Sequence, residues 1–381
     1  MANTLTNLIP DFYTALDVVS RELVGMIPAV QRDSNADRCA LNATLRSPVT
    51  PISNTPIDIV PAMALPTRAD QVIGNQPFTI QKSRAVPFSW TGEEQMSVET
   101  GPGYLTIQQD QIAQALRTLT NEVESDLAIA GALGASRAYG TAGTSPFGTA
   151  EDLSDAAQMA KILDDNGTPD SDRSMVLNTS AVGTMRGKQS SLFKVNESGD
   201  EAFLRQGVLG NLFKFDFRQS AQISRATAGT GASHLINNGA GYPVGATALT
   251  LDTGTGTILA GDVITIGAHK YVVASALAAN VVTIAAPGLV EAVADNAPVT
   301  VNATSARNLA FRRNAILLGT RLPALPAEGD IATDRTTIVD PHSGLVFEVA
   351  VYPGYRMVTY HVSLAWGVKV MKAEHCAVLL G

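Results

Sequence analysis

Apolar residues divide the chain into a mixed body and a compact block of β-patterned sequence. Between Ala240 and Val301, short β-branched runs follow one another at close spacing, and the block has no Arg. Such spacing predicts a small barrel or sandwich, entered through a Gly-, Ala- and Asn-rich linker, Thr227–Ala240. Its only charged residues are Asp252, Asp262, Lys270, Glu291 and Asp295. Its predicted strands are Ala248–Leu251, Val263–Ile266, Tyr271–Ala274, Val281–Ile284 and Val299–Val301.

Apolar residues at three- and four-residue steps predict a long helix, Thr106–Leu133. At about 1.5 Å per residue it would span roughly 40 Å and act as a spine for the body. Its stripe comprises Ile112, Leu116, Leu119, Val123, Leu127 and Ala130. The polar residues off the stripe are Gln109, Gln114, Arg117, Asn121 and Glu124.

Shorter helices are predicted over Ala150–Asp164, Thr179–Gln189 and Asn308–Leu318. A further amphipathic helix runs from Phe12 to Ile27, with Asp11 as its cap and Pro28 at its end. It packs either on its own domain or, as an arm, on a neighbouring subunit. The polar stretch after it, Gln31–Arg38, has no core-forming pattern.

The segment Ser47–Pro87 is extended and punctuated by prolines, with strand-like pieces at Ile57–Val60 and Phe78–Ile80. Val86, Phe88 and Trp90 then alternate, as in a strand. Proline donates no hydrogen bond to a ladder, so these strands belong at edges or in a long two-stranded excursion. With few large apolar side chains, the segment must pack on its own body or on a partner, and we favour a partner.

Strand and helix alternate through the rest of the body, which indicates an α/β subdomain. A proline-bearing loop is expected at Arg321–Pro326. The predicted strands are Met175–Leu177, the alternating Phe213, Phe215 and Phe217, Leu345–Val351, Tyr355–Leu364, Gly367–Met371 and Ala377–Leu380.

Composition narrows the class of protein. A chain of 381 residues exceeds one ordinary core, so two or three domains are expected. A net charge of −8 argues against a protein that grips nucleic acid through Lys and Arg. Two distant cysteines, Cys39 and Cys376, exclude a disulfide scaffold and a Cys-rich zinc site. No signal-peptide pattern and no 18-residue apolar run occurs, so synthesis in the cytoplasm and no membrane contact are expected.

Catalytic patterns are absent from the sequence. The acidic pairs Asp164/Asp165 and Glu93/Glu94 are adjacent in sequence and do not face each other across a cleft, so we interpret them as solvated surface. No phosphate-binding loop, dinucleotide fingerprint or nucleophile elbow occurs. We therefore predict no catalytic, cofactor-binding or metal-binding residue, and no enzyme. The histidines, which lack metal-ligand spacing, are His234, His269, His342, His361 and His375.

Basic residues are too scattered to form a nucleic-acid-binding stripe. They suit ion pairs with the acidic surfaces of identical neighbours. The residues concerned are Arg68, Lys82, Arg84, Arg312 and Arg313.

The order of these parts resembles the major capsid proteins of tailed bacteriophages with the Hong Kong 97 fold. The most specific match is the stretch Leu249-Thr-Leu…Leu259-Ala-Gly-Asp-Val-Ile-Thr-Ile-Gly…Tyr271-Val-Val…Val282-Thr-Ile. It is similar to the inserted I-domain of short-tailed phage coat proteins. Leu364-Ala-Trp-Gly-Val-Lys-Val resembles the closing strand of the family.

The resemblance implies an α+β fold and an order of domains along the chain. It also implies hexamers and pentamers of an icosahedral virion head around double-stranded DNA, with DNA as a non-specific contact. The expected partners are other copies, a scaffolding protein, a portal and a decoration protein. The alternative is a β-rich surface adhesin or glycan-binding module. The implied domains are an N-terminal arm (1–46), an extended loop (47–90), a peripheral domain with the spine helix (91–149), an axial domain (150–238), an inserted β-barrel (239–304) and an axial return with closing strands (305–381).

Overall fold

The computed structural model describes residues 24–49, 61, 74–98, 104–189, 211–340 and 343–381. The helices in these residues are α1 (Met26–Ala29), α2 (Gly92–Val98), α3 (Tyr104–Gly134), α4 (Ser154–Asp165) and α5 (Thr179–Lys188). The first strands are β1 (Gln31–Cys39), β2 (Thr44–Val49), β3 (Gly74–Thr79), β4 (Lys82–Thr91), β5 (Arg137–Tyr139), β6 (Arg173–Leu177), β7 (Asn211–Leu212), β8 (Phe215–Gln219), β9 (Arg225–Ala226) and β10 (His234–Ile236). The later strands are β11 (Ala248–Asp252), β12 (Val263–Ile266), β13 (His269–Ala278), β14 (Val281–Ile284), β15 (Pro298–Val301), β16 (Ser305–Arg312), β17 (Ile316–Pro323), β18 (Asp334–Val339), β19 (Val346–Gly354), β20 (Met357–Val370) and β21 (Cys376–Leu380).

Helix α3 packs against strands from several parts of the chain, as its predicted length suggests. Leu119, Val123 and Leu127 are at most 1% exposed. They belong to one hydrophobic cluster that also contains residues of β16, β17, β20 and β21. Each buried Leu or Val contributes about 1.5–3 kcal/mol through apolar burial. The predictions of α3, α4 and α5 are confirmed within a few residues at each end.

The first sheet has the strand order β1-β17-β20-β19-β18, with β4 also paired to β20. The prediction of separate strands at Tyr355–Leu364 and Gly367–Met371 is wrong, because β20 is one strand of 14 residues. Its ladder with β4 continues without a break from Met357 to Trp366. Tyr355 lies instead in the turn before β20.

The prediction of a helix at Asn308–Leu318 is wrong. This segment forms most of β16 and the start of β17, joined by a short 3₁₀ turn. Both faces of β16 are buried: Leu309 and Phe311 pack under α3, and Ala310 packs in the cluster that contains α4 and α5. A strand buried on both faces has a continuous apolar run, which hydrophobic spacing cannot distinguish from a buried helix.

The second sheet contains β5, β21, β16, β6, β8 and β7 in that order. The short strand β9 pairs with the first two residues of β16. The strand predicted around the alternating phenylalanines begins later than expected. Phe215 and Phe217 are buried in β8, whereas Phe213 lies in the preceding turn with a φ of +50° and is 43% exposed.

Five strands of the β-patterned block and β10, which precedes the block, form a closed ring. The antiparallel pairings run β12-β15-β10-β11-β14-β13, and β13 pairs again with β12. The first residues of β13 also pair with β5, which joins the ring to the second sheet. The linker interpretation of Thr227–Ala240 is wrong, because β10 lies within it and Ile236 is fully buried. A strand of three residues is too short to show a periodic pattern.

The polar stretch Gln31–Arg38 is also a strand, β1, which pairs in parallel with β17 at the edge of the first sheet. Arg321 of β17 binds the carboxylate of Asp33 at 2.8 Å. Polar and charged side chains suit an edge strand because they discourage pairing with further strands. The expected loop at Arg321–Pro326 accordingly begins later, because β17 continues to Pro323.

Candidate functional site

The chain between Val24 and Val30 lies within the core, and Glu124 of α3 holds it there. The carboxylate accepts the backbone N–H groups of Gly25 at 2.7 Å, Met26 at 2.6 Å and Ile27 at 3.0 Å. These groups begin α1 and have no acceptor inside that helix. A carboxylate from another helix therefore caps α1 and faces the positive end of its dipole.

Glu124 is 1% exposed, although its place off the apolar stripe predicts a polar surface position. Burial raises the pKa of Glu124, against the opposing hydrogen bonds from α1 and the Ser220 hydroxyl. The first 23 residues lie outside the described part, so the choice between an own-domain helix and an arm stays open for them. Residues 24–30 pack in the core of their own chain.

The hairpin of β2 and β3 rests on the first sheet through a pair of glycines. Gly319 and Gly367 are direct partners across β17 and β20. A Cβ at Gly319 would lie 2.5 Å from the Phe78 ring, and one at Gly367 would lie 2.1 Å from the Thr79 carbonyl oxygen. The absence of both side chains leaves the space in which the base of the hairpin packs.

We expect Gly367→Ala to displace the hairpin base, because the new methyl group would overlap a backbone carbonyl. Overpacking of this kind costs about 1–3 kcal/mol of unfolding free energy, measurable by denaturant unfolding of unassembled subunits. Gly183→Ala on α5 is the matched control, since no atom lies within 4 Å of a Cβ there. The control should stabilise the chain by roughly 0.5–1 kcal/mol, and equal effects of the two variants would contradict the expectation.

Polar side chains of β4 and β20 bind two carboxylates of α3. Lys82 donates to Glu122 and Asp126 at 2.9 Å each, and the Trp366 indole N–H donates to Asp126 at 2.9 Å. Burial alone would lower the pKa of Lys82, but the hydrogen bonds and charges of the two carboxylates outweigh it and raise that pKa. Arg84 also lies 3.5 Å from Glu122.

These contacts correct the expectation that Lys82 and Arg84 pair with identical neighbours, because both bind acidic groups of their own chain. Arg312 donates to the Ser171 carbonyl oxygen at 3.3 Å. Arg313 lines an open polar groove of about 560 Å³. Arg68 lies outside the described residues.

A buried acidic residue, Glu348, was missed by sequence reasoning. Its carboxylate lies 2.5 Å from Arg38 and 3.3 Å from Arg335. Asp330 accepts from Arg335 at 2.6 Å and from the Tyr352 hydroxyl at 2.7 Å, and the second bond is the main reason why the pKa of Tyr352 is raised. Arg38 lies about 300 residues from Glu348 in sequence, so no local spacing could have indicated this cluster.

The interpretation of the acidic pairs as solvated surface holds for Glu93, which is exposed. Glu94 accepts from the Thr91 N–H at 2.8 Å and so caps α2. Asp164 binds the buried Arg173 at 2.7 Å, and Asp165 lies 3.3 Å from the buried Arg137. The two aspartates therefore neutralise arginines of the second sheet, which the solvated-surface interpretation did not foresee.

The histidines are dispersed through the fold. His361 of β20 packs edge-on against Tyr352 with ring centroids 4.9 Å apart, and burial lowers its pKa. Burial also lowers the pKa of His375. His234 is buried in β10, and His269 lies 3.2 Å from Arg137. His342 is outside the described residues, among which no cluster of His, Cys, Asp or Glu could hold a metal ion.

No helix in the described ranges combines the length and apolarity needed to cross a lipid bilayer. No protein-family model matches the chain, and no curated protein sequence is similar to it.

Comparison with solved structures finds proteins with the same fold. A structure from Mycobacterium phage Che8 is 13% identical, covers 99% of this chain and 98% of its own, and has a TM-score of 0.51. The capsid structure of cyanophage P-SCSP1u is 10% identical over 100% and 95% of the two chains, with a TM-score of 0.54. The capsid of a native GTA particle is 9% identical, covers 97% of this chain and 94% of its own, and has a TM-score of 0.50. The resemblance to phage capsid proteins is thereby confirmed for the α+β fold as a whole.

Proposed function

We propose that this chain is the major capsid protein of a tailed phage. Copies of it would assemble into the hexamers and pentamers of an icosahedral virion head that encloses double-stranded DNA. The observation that carries the proposal is the end-to-end likeness to capsid structures, which covers nearly the whole chain. The alternative of a glycan-binding adhesin receives no support from these comparisons.

The hairpin supports self-assembly on physical grounds. Among the described strands, β2 and β3 pair only with each other. Two strands alone are marginally stable in water, and the described part of this hairpin packs on its own subunit at its base, through Leu45, Phe78 and Ile80. The stabilisation that such an excursion lacks is available from neighbouring copies in a shell.

The proposal also includes the fold type, the domain boundaries and the partners of the chain. We interpret the architecture as the Hong Kong 97 fold, with the closed ring as an inserted barrel resembling an I-domain at about 239–304. The remaining boundaries follow the domain order implied by the resemblance. The role is structural, without catalysis, cofactor or metal. Scaffolding, portal and decoration proteins are proposed partners, and the net charge of −8 suits DNA contacts that are non-specific.

Electron microscopy of the expressed chain, alone and with a candidate scaffold, tests the proposal. We expect shells, tubes or capsomers.

Replacement of residues 50–73 by Asn-Gly should keep the hairpin, because Val49 and Gly74 are direct partners that a two-residue turn can join. The shortened subunit should fold but form no closed shells.

A Gly/Ser segment of the original length, in place of residues 50–73, is the matched control for chain length. Circular dichroism and thermal unfolding verify that each variant is folded. Monodisperse monomers of the unmodified chain under all assembly conditions would contradict the capsid function. Normal shells from the shortened variant would contradict only the role given to the hairpin.

A further inference from the structure

The turn between β7 and β8 holds two large residues in a backbone conformation that favours glycine. Leu212 and Phe215 are direct partners, so Phe213 and Lys214 form a two-residue loop. Their φ angles are +50° and +66°. Positive φ at both positions is the pattern of a type I′ turn, which prefers Asn-Gly, Asp-Gly or Gly-Gly. A residue with a Cβ is strained in this region, and a bulky one is rare there.

The aromatic ring of Phe213 gains little from this strained position. It is 43% exposed and belongs to no hydrophobic cluster of the described residues, whereas Phe215 and Phe217 beside it are at most 5% exposed. Lys214 is exposed as well and binds the exposed side chain of Asp170. An ion pair between exposed side chains contributes little to stability. Strain that the contacts of the subunit do not offset is typical of functional positions.

A second turn with the same backbone pattern shows what is distinctive about Phe213. Among the described residues, the only other consecutive pair of non-glycine residues with positive φ is Ala279-Asn280, at +48° and +64°. It is also a two-residue loop, because Ala278 of β13 pairs with Val281 of β14. Asn tolerates this conformation, and Ala has only a methyl group. Of the two turns, the β7–β8 turn is the one that presents a large apolar side chain to solvent.

The surroundings of the β7–β8 turn suit contact with a polypeptide. β7 pairs with only the first two residues of β8, and residues 217–219 have no further strand on that side among the described elements. Backbone groups at such an edge can pair with another chain. The charged side chains of the turn and of β8 are already paired: Lys214 binds Asp170, and Arg218 binds Asp216 at 2.5 Å. They leave no excess positive charge that would favour nucleic-acid phosphates.

We propose that the β7–β8 turn is a contact between neighbouring copies of this chain, in which Phe213 packs against an apolar surface of the neighbour. The inference rests on the proposed capsid function, which brings identical chains close together. Aromatic side chains are enriched in the buried centres of interfaces. Burial of Phe213 in the assembled shell would offset the strain that the free subunit bears. The turn therefore lowers the stability of the free subunit and strengthens its association.

The double substitution Phe213→Asn with Lys214→Gly tests this proposal, because Asn-Gly is the preferred sequence of a type I′ turn. The melting temperature of unassembled subunits should rise by roughly 2 °C. The critical concentration for assembly, measured by light scattering, should rise at least ~10-fold because an interface aromatic is lost. A variant that assembles like the wild type would overturn the contact. An unchanged or lower melting temperature would overturn the argument from strain.

The two single substitutions separate the effect of the aromatic ring from that of the backbone. Lys214→Gly relieves the strain at one position and keeps the ring, so it should raise the melting temperature and leave the critical concentration unchanged. Phe213→Asn alone should reproduce the assembly defect. A defect in Lys214→Gly as large as that of the double variant would show that assembly does not depend on Phe213, and would overturn the proposal.

Ala279→Asn with Asn280→Gly is the matched control, since it introduces the same turn sequence where no large side chain is lost. It should not lower the melting temperature, and the critical concentration should stay unchanged. An assembly defect equal to that of the β7–β8 variant would overturn the role of Phe213. Failure of the wild type to assemble would contradict the capsid function and this inference with it, whereas normal assembly of the β7–β8 variant would overturn this inference alone.

Discussion

Replacement of Glu124 by Leu is expected to destabilise the unassembled subunit by about 3 kcal/mol or more, because each buried donor left without an acceptor costs about 1–3 kcal/mol. The substitution removes the acceptor of three backbone N–H groups at the start of α1, at 2.6 to 3.0 Å. Those groups would be buried without partners, and residues 24–30 would lose their attachment to α3. Denaturant unfolding of the purified subunit measures the loss.

Glu122→Leu is the matched control, because Glu122 lies on the same helix with its side chain 30% exposed. A partly exposed ion pair contributes about 0–1 kcal/mol, so the control should lose no more than that. Comparable losses in the two variants would show that Glu124 is an ordinary surface residue of the helix.

The pH dependence of stability provides an independent check on Glu124. Burial raises its pKa above the usual 4.5, so the folded chain holds this proton more tightly than the unfolded chain. The resulting stabilisation is fully present below pH 4.5 and is lost as the pH rises through the folded pKa. The advantage of the wild type over Glu124→Gln should therefore shrink as the pH rises. An advantage that grows with pH would mean that the backbone hydrogen bonds dominate.

Trp366→Ala is expected to cost about 3–5 kcal/mol, the range for truncation of a large buried aromatic side chain. Trp366 is 1% exposed and donates its indole N–H to Asp126 of α3 at 2.9 Å. The ammonium of Lys82 lies 5.8 Å from the centre of its ring. The truncation would open a cavity between the first sheet and α3 and leave Asp126 with one fewer donor.

Tyr355→Ala is the control for Trp366, since Tyr355 is 90% exposed in the turn before β20. A surface change of this kind stays within about 0.5 kcal/mol. Trp366→Phe keeps most of the apolar volume and should fall between the two. Denaturant midpoints for Trp366→Ala and Tyr355→Ala that agree within error would refute the central position of Trp366.

Elements with a strong local pattern were predictable from the sequence. Helix α3 has an apolar stripe over many turns, and the strands β12 and β14 have β-branched runs bounded by turn residues, so local preference and burial agree. The errors fall where that agreement fails. Residues 309–311 of the segment Asn308–Leu318 are all apolar because β16 is buried on both faces, and β1 is polar because it lies at an edge.

For the charged residues, too, local sequence predicts some positions and misses others. Sequence position places Glu124 on the polar side of a helix, and nothing near it in the chain indicates that residues 25–27 lie against it. The pairing of Arg38 with Glu348 likewise depends on residues far apart in sequence. Hydrophobic spacing reports which face of an element is buried, but it does not report which element covers that face.

The sequence by itself determined the mixture of helices and strands in the body, the long spine helix, the β-patterned block between Ala240 and Val301 and the absence of catalytic motifs, because these depend on periodicity and composition. Only the tertiary structure decided that six strands close into a ring, that Gly319 and Gly367 make room for a hairpin, and that Glu124 caps a distant helix. Those features depend on contacts between segments that are remote along the chain. Local preference contains no information about such contacts, because they form only when the core packs.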